Sequence, residues 1–322
     1  MTEPTRPPTV RHMLATEARR LRASSQSPRL DVEILLAHVL GITRERLYAE
    51  PERQLKPAEL ARLRELVARR ARHEPVAYLT GRKAFHDIEL GVNEHTLIPR
   101  PETETLVEVA LEKLAELDAW RRHKEPPHEI DTGPPRPERL HEPHEGPRYE
   151  PLRVLDIGTG SGAVALAIAH ARPDVRAVGV DVNYRALEQA RLNAEALGLA
   201  GRCRFLASDL YAEVPRGSLF DLIVSNPPYV ADGELAATPP DVHAYEPHVA
   251  LLGGARGLDF YHRIVPAAPE FLASRGSLAV EIAEQRAVEV AAIFLEAGRF
   301  EQIELRNDLG GRPRVVVARE RE

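Results

Sequence analysis

The stretch "RVLDIGTGSGAVALAIA", residues 153–169, decides how the rest of the chain is read. Its opening "RVLDIG" is apolar and β-rich and predicts a strand. "AVALAIAHAR", residues 163–172, predicts a buried helix. Between them stand glycines at 158, 160 and 162. Glycine is needed where a backbone turns tightly and must approach a ligand with no Cβ in the way. The free N–H groups at the mouth of the following helix face such a ligand. The spacing departs from the dinucleotide fingerprint Gly-x-Gly-x-x-Gly, because Ala163 stands where the third glycine would be.

Nineteen residues beyond Gly162, Asp181 ends a second predicted strand, "VRAVGVDV". A carboxylate at that place can accept both hydroxyls of a ribose. With Asp156 two residues ahead of Gly158, the pattern describes a nucleoside pocket at the carboxyl ends of two adjacent strands.

The same alternation continues along the chain. "YRALEQARLNAEALG" reads as a helix, "CRFLASD" and "FDLIVSN" as strands, "LDFYHRIVPAAPEFLAS" as a helix and "GSLAVEIA" as a strand. Near-continuous apolar strands separated by helices predict an α/β fold, a mostly parallel sheet covered on both faces. The tail "FEQIELRNDLGGRPRVVVA" reads as two strands about a Gly-Gly turn. Strands so close in sequence pair antiparallel, so the last strand is expected to run against the rest.

"VSNPPYV", residues 224–230, follows the fourth strand of this series. Pro227 excludes Asn226 from the helical region, and Pro227 and Pro228 fix their own φ and donate no hydrogen bond. The stretch is therefore a rigid elbow beside the expected pocket. It suits a planar group bearing N–H₂: the Asn226 side-chain oxygen takes one hydrogen, the Pro227 carbonyl the other, and Tyr229 is a flat wall. Amide and aromatic amino nitrogens are poor nucleophiles, so two acceptors and good placement supply what the chemistry needs. The sequence shows no general base nearby.

The front of the chain differs. In residues 1–75, "SPRLDVEILLAHVLG" has Ser27 as N-cap, Pro28 at the first helical position and Gly41 as a stop. "KPAELARLRELVARRARHE" has Pro57 near its start and Leu60, Leu63 and Val67 on one stripe. Together they predict a small helical domain. Residues 76–100 are expected to form a hairpin connector, and residues 101–322 the α/β domain. "PETETLVEVALEKLAELDAW" predicts an amphipathic helix with Glu102 and Glu104 in its first turn. Residues 121–150, rich in proline and charge, predict a solvated loop. His123, His128, His141 and His144 within it have no cysteine beside them and no compact spacing, so no metal is expected.

Net charge is −6 overall, but residues 1–75 carry +5 and the remainder −11. The basic front points to an acidic partner there. The acidic remainder argues against a nucleic-acid groove. The one cysteine, Cys203, lies in an apolar stretch and reads as a buried small hydrophobe. No apolar run is long enough to span a membrane, and the first ten residues lack a signal-peptide core. A cytoplasmic protein is expected.

The glycine loop followed by Asp181 resembles the class I S-adenosylmethionine-dependent methyltransferases, whose sheet is Rossmann-like. Asn226-Pro227-Pro228-Tyr229 resembles the motif of the amino-group N-methyltransferases. The longer stretches "EPVAYLTGRKAFHDIELGVNEHTLIPRPETETLVE", "YEPHVALLGGARGLDFYHRIV" and "NDLGGRPRVVVARE" are similar to the bacterial peptide-chain release factor glutamine methyltransferases. That resemblance covers most of the chain, and its most specific part is "IPRPETETLVE". It implies methyl transfer from S-adenosylmethionine to the side-chain N5 of the glutamine in the Gly-Gly-Gln motif of release factors. It implies that Gly158, Thr159, Gly160, Ser161, Gly162, Asp181, Leu210 and Asn226 contact the donor, with Asp209 beside Leu210 at the adenine. Asn226, Pro227, Pro228 and Tyr229 would hold the glutamine, with Asn226, Pro227 and Tyr229 as catalytic residues. Arg100, Glu102 and Glu104 fall in the family's pocket-facing segment, the helical front would grip the release factor, and a monomer is expected. Many relatives carry Trp where Leu210 stands, and the 121–150 stretch is longer than the usual connector. The alternatives are a ribosomal-protein glutamine or a nucleic-acid adenine N6 as acceptor.

Overall fold

The structure, a computed structural model, describes residues 7–124 and 150–321. It divides into two units. One comprises Met1–Lys83, Gly91–Ile98 and Glu234–His248, and the other Ala84–Leu90, Pro99–Gly233 and Val249–Glu322.

The first unit is helical, with α1 (Val10–Arg20), α2 (Pro28–Leu40), α3 (Arg44–Ala49), α4 (Pro57–Arg70), α5 (Val76–Thr80) and the single turn α9 (Pro240–His243). Helix α2 starts on Pro28 and stops at Gly41, whose φ of 62° suits a residue without a Cβ. Val10, Leu14, Leu35, Leu36, Leu63, Leu66 and Val67 form its core. Within that core Arg70 Nε donates to Asp31 Oδ2 at 2.7 Å. Polar contacts bring the two later segments into this unit. The Tyr78 hydroxyl donates to the Thr96 carbonyl at 2.5 Å, the Ile98 N–H to buried Glu246 at 3.1 Å, and the Tyr245 hydroxyl to the Arg72 carbonyl at 2.7 Å. Hydrophobic period carries no trace of these placements. Strands β1 (Arg82–Phe85) and β2 (Ile88–Gly91) form a two-stranded hairpin that turns at His86, with φ 50°.

The second unit is the α/β body. Its strands are β3 (Leu152–Ile157), β4 (Val175–Asp181), β5 (Cys203–Ala207), β6 (Phe220–Ser225), β7 (Leu272–Glu281), β8 (Phe300–Asn307) and β9 (Pro313–Glu320). They form one seven-stranded sheet in the order β5-β4-β3-β6-β7-β9-β8. Strands β3 to β7 pair parallel, and β9 runs antiparallel between β7 and β8. Its helices are α6 (Glu104–Lys124), α7 (Ala163–Ala171), α8 (Tyr184–Ala196), α10 (Asp259–Ala267) and α11 (Ala287–Ala297). Alternate strand residues serve opposite faces. Val154, Leu222, Val224, Ala279 and Val317 pack with α6 and α7, while Leu155, Ile223, Leu278, Val280 and Val316 pack with α10 and α11. The expected α/β fold with a parallel sheet and an antiparallel last strand is present.

Three expectations need correction. The solvated loop expected over residues 121–150 does not include residues 121–124, because α6 runs to Lys124. Arg121 pairs with buried Asp221, and Lys124 and Arg275 lie over the Trp120 ring at 5.4 and 4.8 Å. Tertiary partners thus hold a charged helix end that reads as loop in isolation. His128, His141 and His144 lie outside the described residues. Strand β7 begins at Leu272 rather than Gly276, and a register shift against β6 together with Arg275 at φ 64° hides the alternation there. Helix α11 was not anticipated. Cys203 is buried, and burial pushes its thiol up to about 11. Among the described residues no helix is long and apolar enough to cross a membrane.

Candidate active site

The glycine turn joins β3 to α7. Gly158, Gly160 and Gly162 all have positive φ, at 71°, 55° and 83°. A Cβ on Gly162 would lie 2.9 Å from Leu166 Cδ1, so this glycine also lets the turn pack on its own helix. A Cβ on Gly160 would meet nothing within 4 Å, so that part of the turn faces open space.

Two carboxylates hold the turn from either side. Asp156 Oδ2, at the end of β3, accepts the Thr159 hydroxyl at 2.6 Å and the Ala165 N–H at 3.1 Å. Burial pushes Asp156 up to about 6, against those two hydrogen bonds. Asp181 Oδ2, at the end of β4, accepts the Gly160 N–H at 2.9 Å, and its Oδ1 accepts the Asn183 N–H at 2.8 Å. Burial raises Asp181 as well, although its backbone donors pull the other way. Ser161 is fixed through its carbonyl, which accepts from Asn193 Nδ2 at 2.9 Å. The Thr159 and Ser161 side chains are buried, so the turn offers a ligand chiefly backbone.

Leu210, after β5, takes φ 54°. The Ser208 hydroxyl holds it there by donating to the Leu210 carbonyl at 2.8 Å. Asp209 beside it is exposed and pairs with Arg263 at 2.7 Å.

The elbow Asn226–Tyr229 leaves β6 next to the glycine turn. A Cβ on Gly158 would stand 3.9 Å from the Asn226 carbonyl oxygen. Behind the elbow runs "LLGGARG", residues 251–257. The Val230 N–H donates to the Leu251 carbonyl and the Gly253 N–H to the Val230 carbonyl, both at 2.9 Å. A Cβ on Gly253 would run into the Pro228 carbonyl, and one on Gly257 into the Tyr229 carbonyl. Sequence reading assigned these two glycines no role, though Gly-Gly-x-x-Gly was a visible signal of close backbone approach.

Buried groups line the inner side. Asn226 Nδ2 donates to the Thr103 hydroxyl oxygen at 3.1 Å. Thr103 belongs to a short 3₁₀ turn, Pro101–Thr103, leading into α6. Glu281, the last residue of β7, is buried, and neither carboxylate oxygen reaches full hydrogen-bond geometry with a partner. Burial pushes it up to about 7, while Thr103, Arg314 and Arg100 favour its ionised form. Burial also raises the Tyr229 phenol, with Glu281 adding to the effect. The expectation of no base near the elbow is therefore corrected: Glu281 lies there, brought in by the sheet from 55 positions downstream. An acid closing a strand whose last six residues are all buried was the available signal. Glu104 serves structure, accepting the His86 N–H at 3.0 Å.

The chain resembles known proteins over nearly its whole length. A family profile described as "PrmC N-terminal domain" matches residues 12–81, and one described as "Methyltransferase small domain" matches residues 146–239. The chain is 38% identical over 305 residues to the release factor glutamine methyltransferase of Bradyrhizobium diazoefficiens, covering 94% of this chain and 92% of that protein. The chain belongs to the release factor glutamine methyltransferase family. A second member of that family, from Moorella thermoacetica, is 35% identical over 315 residues, with 98% and 99% covered. The fold of this family member is also like the crystal structure of the hMettl16 catalytic domain, with a TM-score of 0.52 over 80% of this chain and 81% of that one. At 13% identity that likeness concerns the fold alone.

Proposed function

We infer that this chain transfers a methyl group from S-adenosylmethionine to the side-chain N5 of the glutamine in the Gly-Gly-Gln motif of peptide-chain release factors. The observation that carries the reading is the elbow Asn226-Pro227-Pro228-Tyr229 set against the three-glycine turn, in a chain whose relatives by that name match it over more than nine-tenths of both lengths.

The turn fits the donor. Gly160 faces open space, and Asp181, which accepts the backbone N–H groups of Gly160, Asn183 and Val182, has lone-pair capacity left for the ribose. Gly158 through Gly162, Asp181, Leu210 and Asn226 would hold it. When bound, S-adenosylmethionine supplies a methyl group on cationic sulfur, whose C–S bond breaks toward sulfur as N–C forms. The chain's own residues do the rest. Asn226 Oδ1 and the Pro227 carbonyl accept the two amide hydrogens, and the Tyr229 ring backs the carboxamide plane. Pro227 and Pro228 fix the acceptors before the substrate arrives, so little ordering is left to do at reaction; such placement is worth about 7–11 kcal/mol in favourable cases. One amide proton then leaves to water.

Further parts of the reading concern setting. The protein acts in the cytoplasm as a monomer, on protein and not on nucleic acid. The charge of −11 beyond residue 75 supports a protein acceptor, and the +5 of residues 1–75 suits an acidic face of the release factor.

The test is a radiolabelled methyl assay offering release factor, ribosomal protein and DNA side by side. Label should enter the release factor and vanish when its Gly-Gly-Gln glutamine is replaced. Label entering DNA or only ribosomal protein would overturn the reading. Asn226→Ala should abolish transfer with S-adenosylmethionine affinity largely kept.

A further inference from the structure

We propose that Thr103 and Glu281 are positioning residues that fix which end of the Asn226 carboxamide meets the substrate. This rests on the reading of Asn226 as an acceptor for the substrate amide. An asparagine side chain has a donor end and an acceptor end of nearly equal size. Only the acceptor end can receive an N–H of the substrate. Turned over, its N–H₂ would face another N–H₂, and both would lose a partner in a confined site.

The neighbours decide the matter. Asn226 Nδ2 lies 3.1 Å from the Thr103 hydroxyl oxygen. A hydroxyl can donate or accept, so Thr103 alone leaves the orientation open. Glu281 closes it. When it is ionised, at pH above its raised value of about 7, its carboxylate accepts only; the Thr103 hydroxyl is a donor within its reach, and neither oxygen has another hydrogen-bond partner among the described residues. The Thr103 proton therefore turns toward Glu281, and its oxygen lone pairs turn toward Asn226. Asn226 must then present Nδ2 inward and Oδ1 outward. Thr103 and Glu281 are almost wholly buried, so water does not compete for these partners. The charged and titratable groups around Glu281 are Arg100 and Glu102 ahead of α6, Tyr229 on the elbow, Tyr261 on α10 and Arg314 on β9. None of these sits between Thr103 and Asn226 in the hydrogen-bond chain.

The arrangement explains a burial that is otherwise costly. A carboxylate without full partners in a sheet interior opposes folding. A group that orients Thr103, and through it the amide-binding asparagine, gives that cost a function.

The experiment uses the full chain with S-adenosylmethionine and a recombinant release factor at pH 8, above the raised value of Glu281. It compares Asn226→Ala, Thr103→Val, Thr103→Ser, Glu281→Gln and the Thr103→Val/Glu281→Gln double variant. Donor affinity is read by calorimetry, and kcat and KM by methyl transfer. Thr103→Val should lose at least tenfold in kcat, with donor affinity within twofold of the parent. Thr103→Ser, which keeps the hydroxyl, should stay within threefold. Glu281→Gln should lose several-fold, and the double variant should be no more than twofold slower than Thr103→Val. A Thr103→Val enzyme at parental kcat overturns the proposal. So does a Thr103→Ser enzyme as impaired as Thr103→Val, or any loss of donor binding with Thr103→Val. Losses that multiply in the double variant remove Glu281 from the device. If instead Asn226→Ala still methylates, the reading of Asn226 itself fails, and that result is separate from the others.

Discussion

Asp181 Oδ2 accepts the Gly160 N–H at 2.9 Å, which joins the end of β4 to the middle of the glycine turn. One carboxylate thus shapes the turn and keeps lone-pair capacity beyond its backbone donors. Asp181→Asn should keep an acceptor for Gly160 yet lose the charge that favours two ribose hydroxyls. The expected result is at least a tenfold loss of affinity for S-adenosylmethionine, and an equal loss for the demethylated product, which carries the same ribose. Calorimetry on both ligands checks it. Unchanged affinity for either would detach Asp181 from the ribose.

Gly257 combines φ 71° with a direction in which any Cβ meets the Tyr229 carbonyl. Gly257→Ala must therefore shift the elbow. Transfer to release factor should fall at least tenfold while donor affinity changes little, because the clash falls on the Tyr229 carbonyl, at the other end of the elbow from Asn226, which borders the glycine turn. Gly201 is the control: its φ is ordinary and a Cβ there meets nothing within 4 Å, so Gly201→Ala should be neutral. Equal activity of the two variants would mean that the elbow does not depend on the segment behind it.

Asp221 is buried at the start of β6, where it accepts the Arg153 N–H at 2.7 Å and pairs with Arg121. Removing it leaves the Arg153 N–H and the half-buried Arg121 guanidinium without that acceptor. Asp221→Ala should lower stability by about 2–4 kcal/mol, and Arg121→Ala by about 1–2 kcal/mol. Urea unfolding measures both. A neutral Arg121→Ala would show that the last turn of α6 is not anchored through this pair.

What was legible in the sequence was local. The glycines of the turn, Asp181 and the Pro-Pro elbow announce themselves because backbone chemistry at one position needs that residue type. Their neighbourhood was legible too, because parallel strands put carboxyl ends together. Thr103 was not legible: it lies 123 positions from Asn226 and meets it only through the packing of α6 on the sheet. Helix α11 was missed for a different reason. Val288 and Leu295 are exposed apolar residues on it and blur the 3.6-residue period. The start of β7 was hidden by its register shift, and the end of α6 by the charge of partners it finds only in the fold.

Glu281 makes stability depend on pH in a direction opposite to a paired surface carboxylate. Its ordinary value is 4.5, and burial in the fold raises it to about 7. Between these values the unfolded chain has released the proton and the folded chain still holds it. Folded protein therefore binds more protons, and stability falls as pH rises through that window. The contribution is fully present below about 4.5 and lost above about 7. Glu281→Gln has no such proton, so its stability relative to the parent should climb by up to about 3 kcal/mol between pH 4.5 and 7, then stay level. Any fixed packing cost of the amide shifts the whole difference and leaves this slope intact. Urea unfolding of both proteins at pH 5, 6, 7 and 8 measures the difference at each point. Parallel stability curves across that range would mean that Glu281 is already ionised at pH 5, with a partner that compensates it in solution.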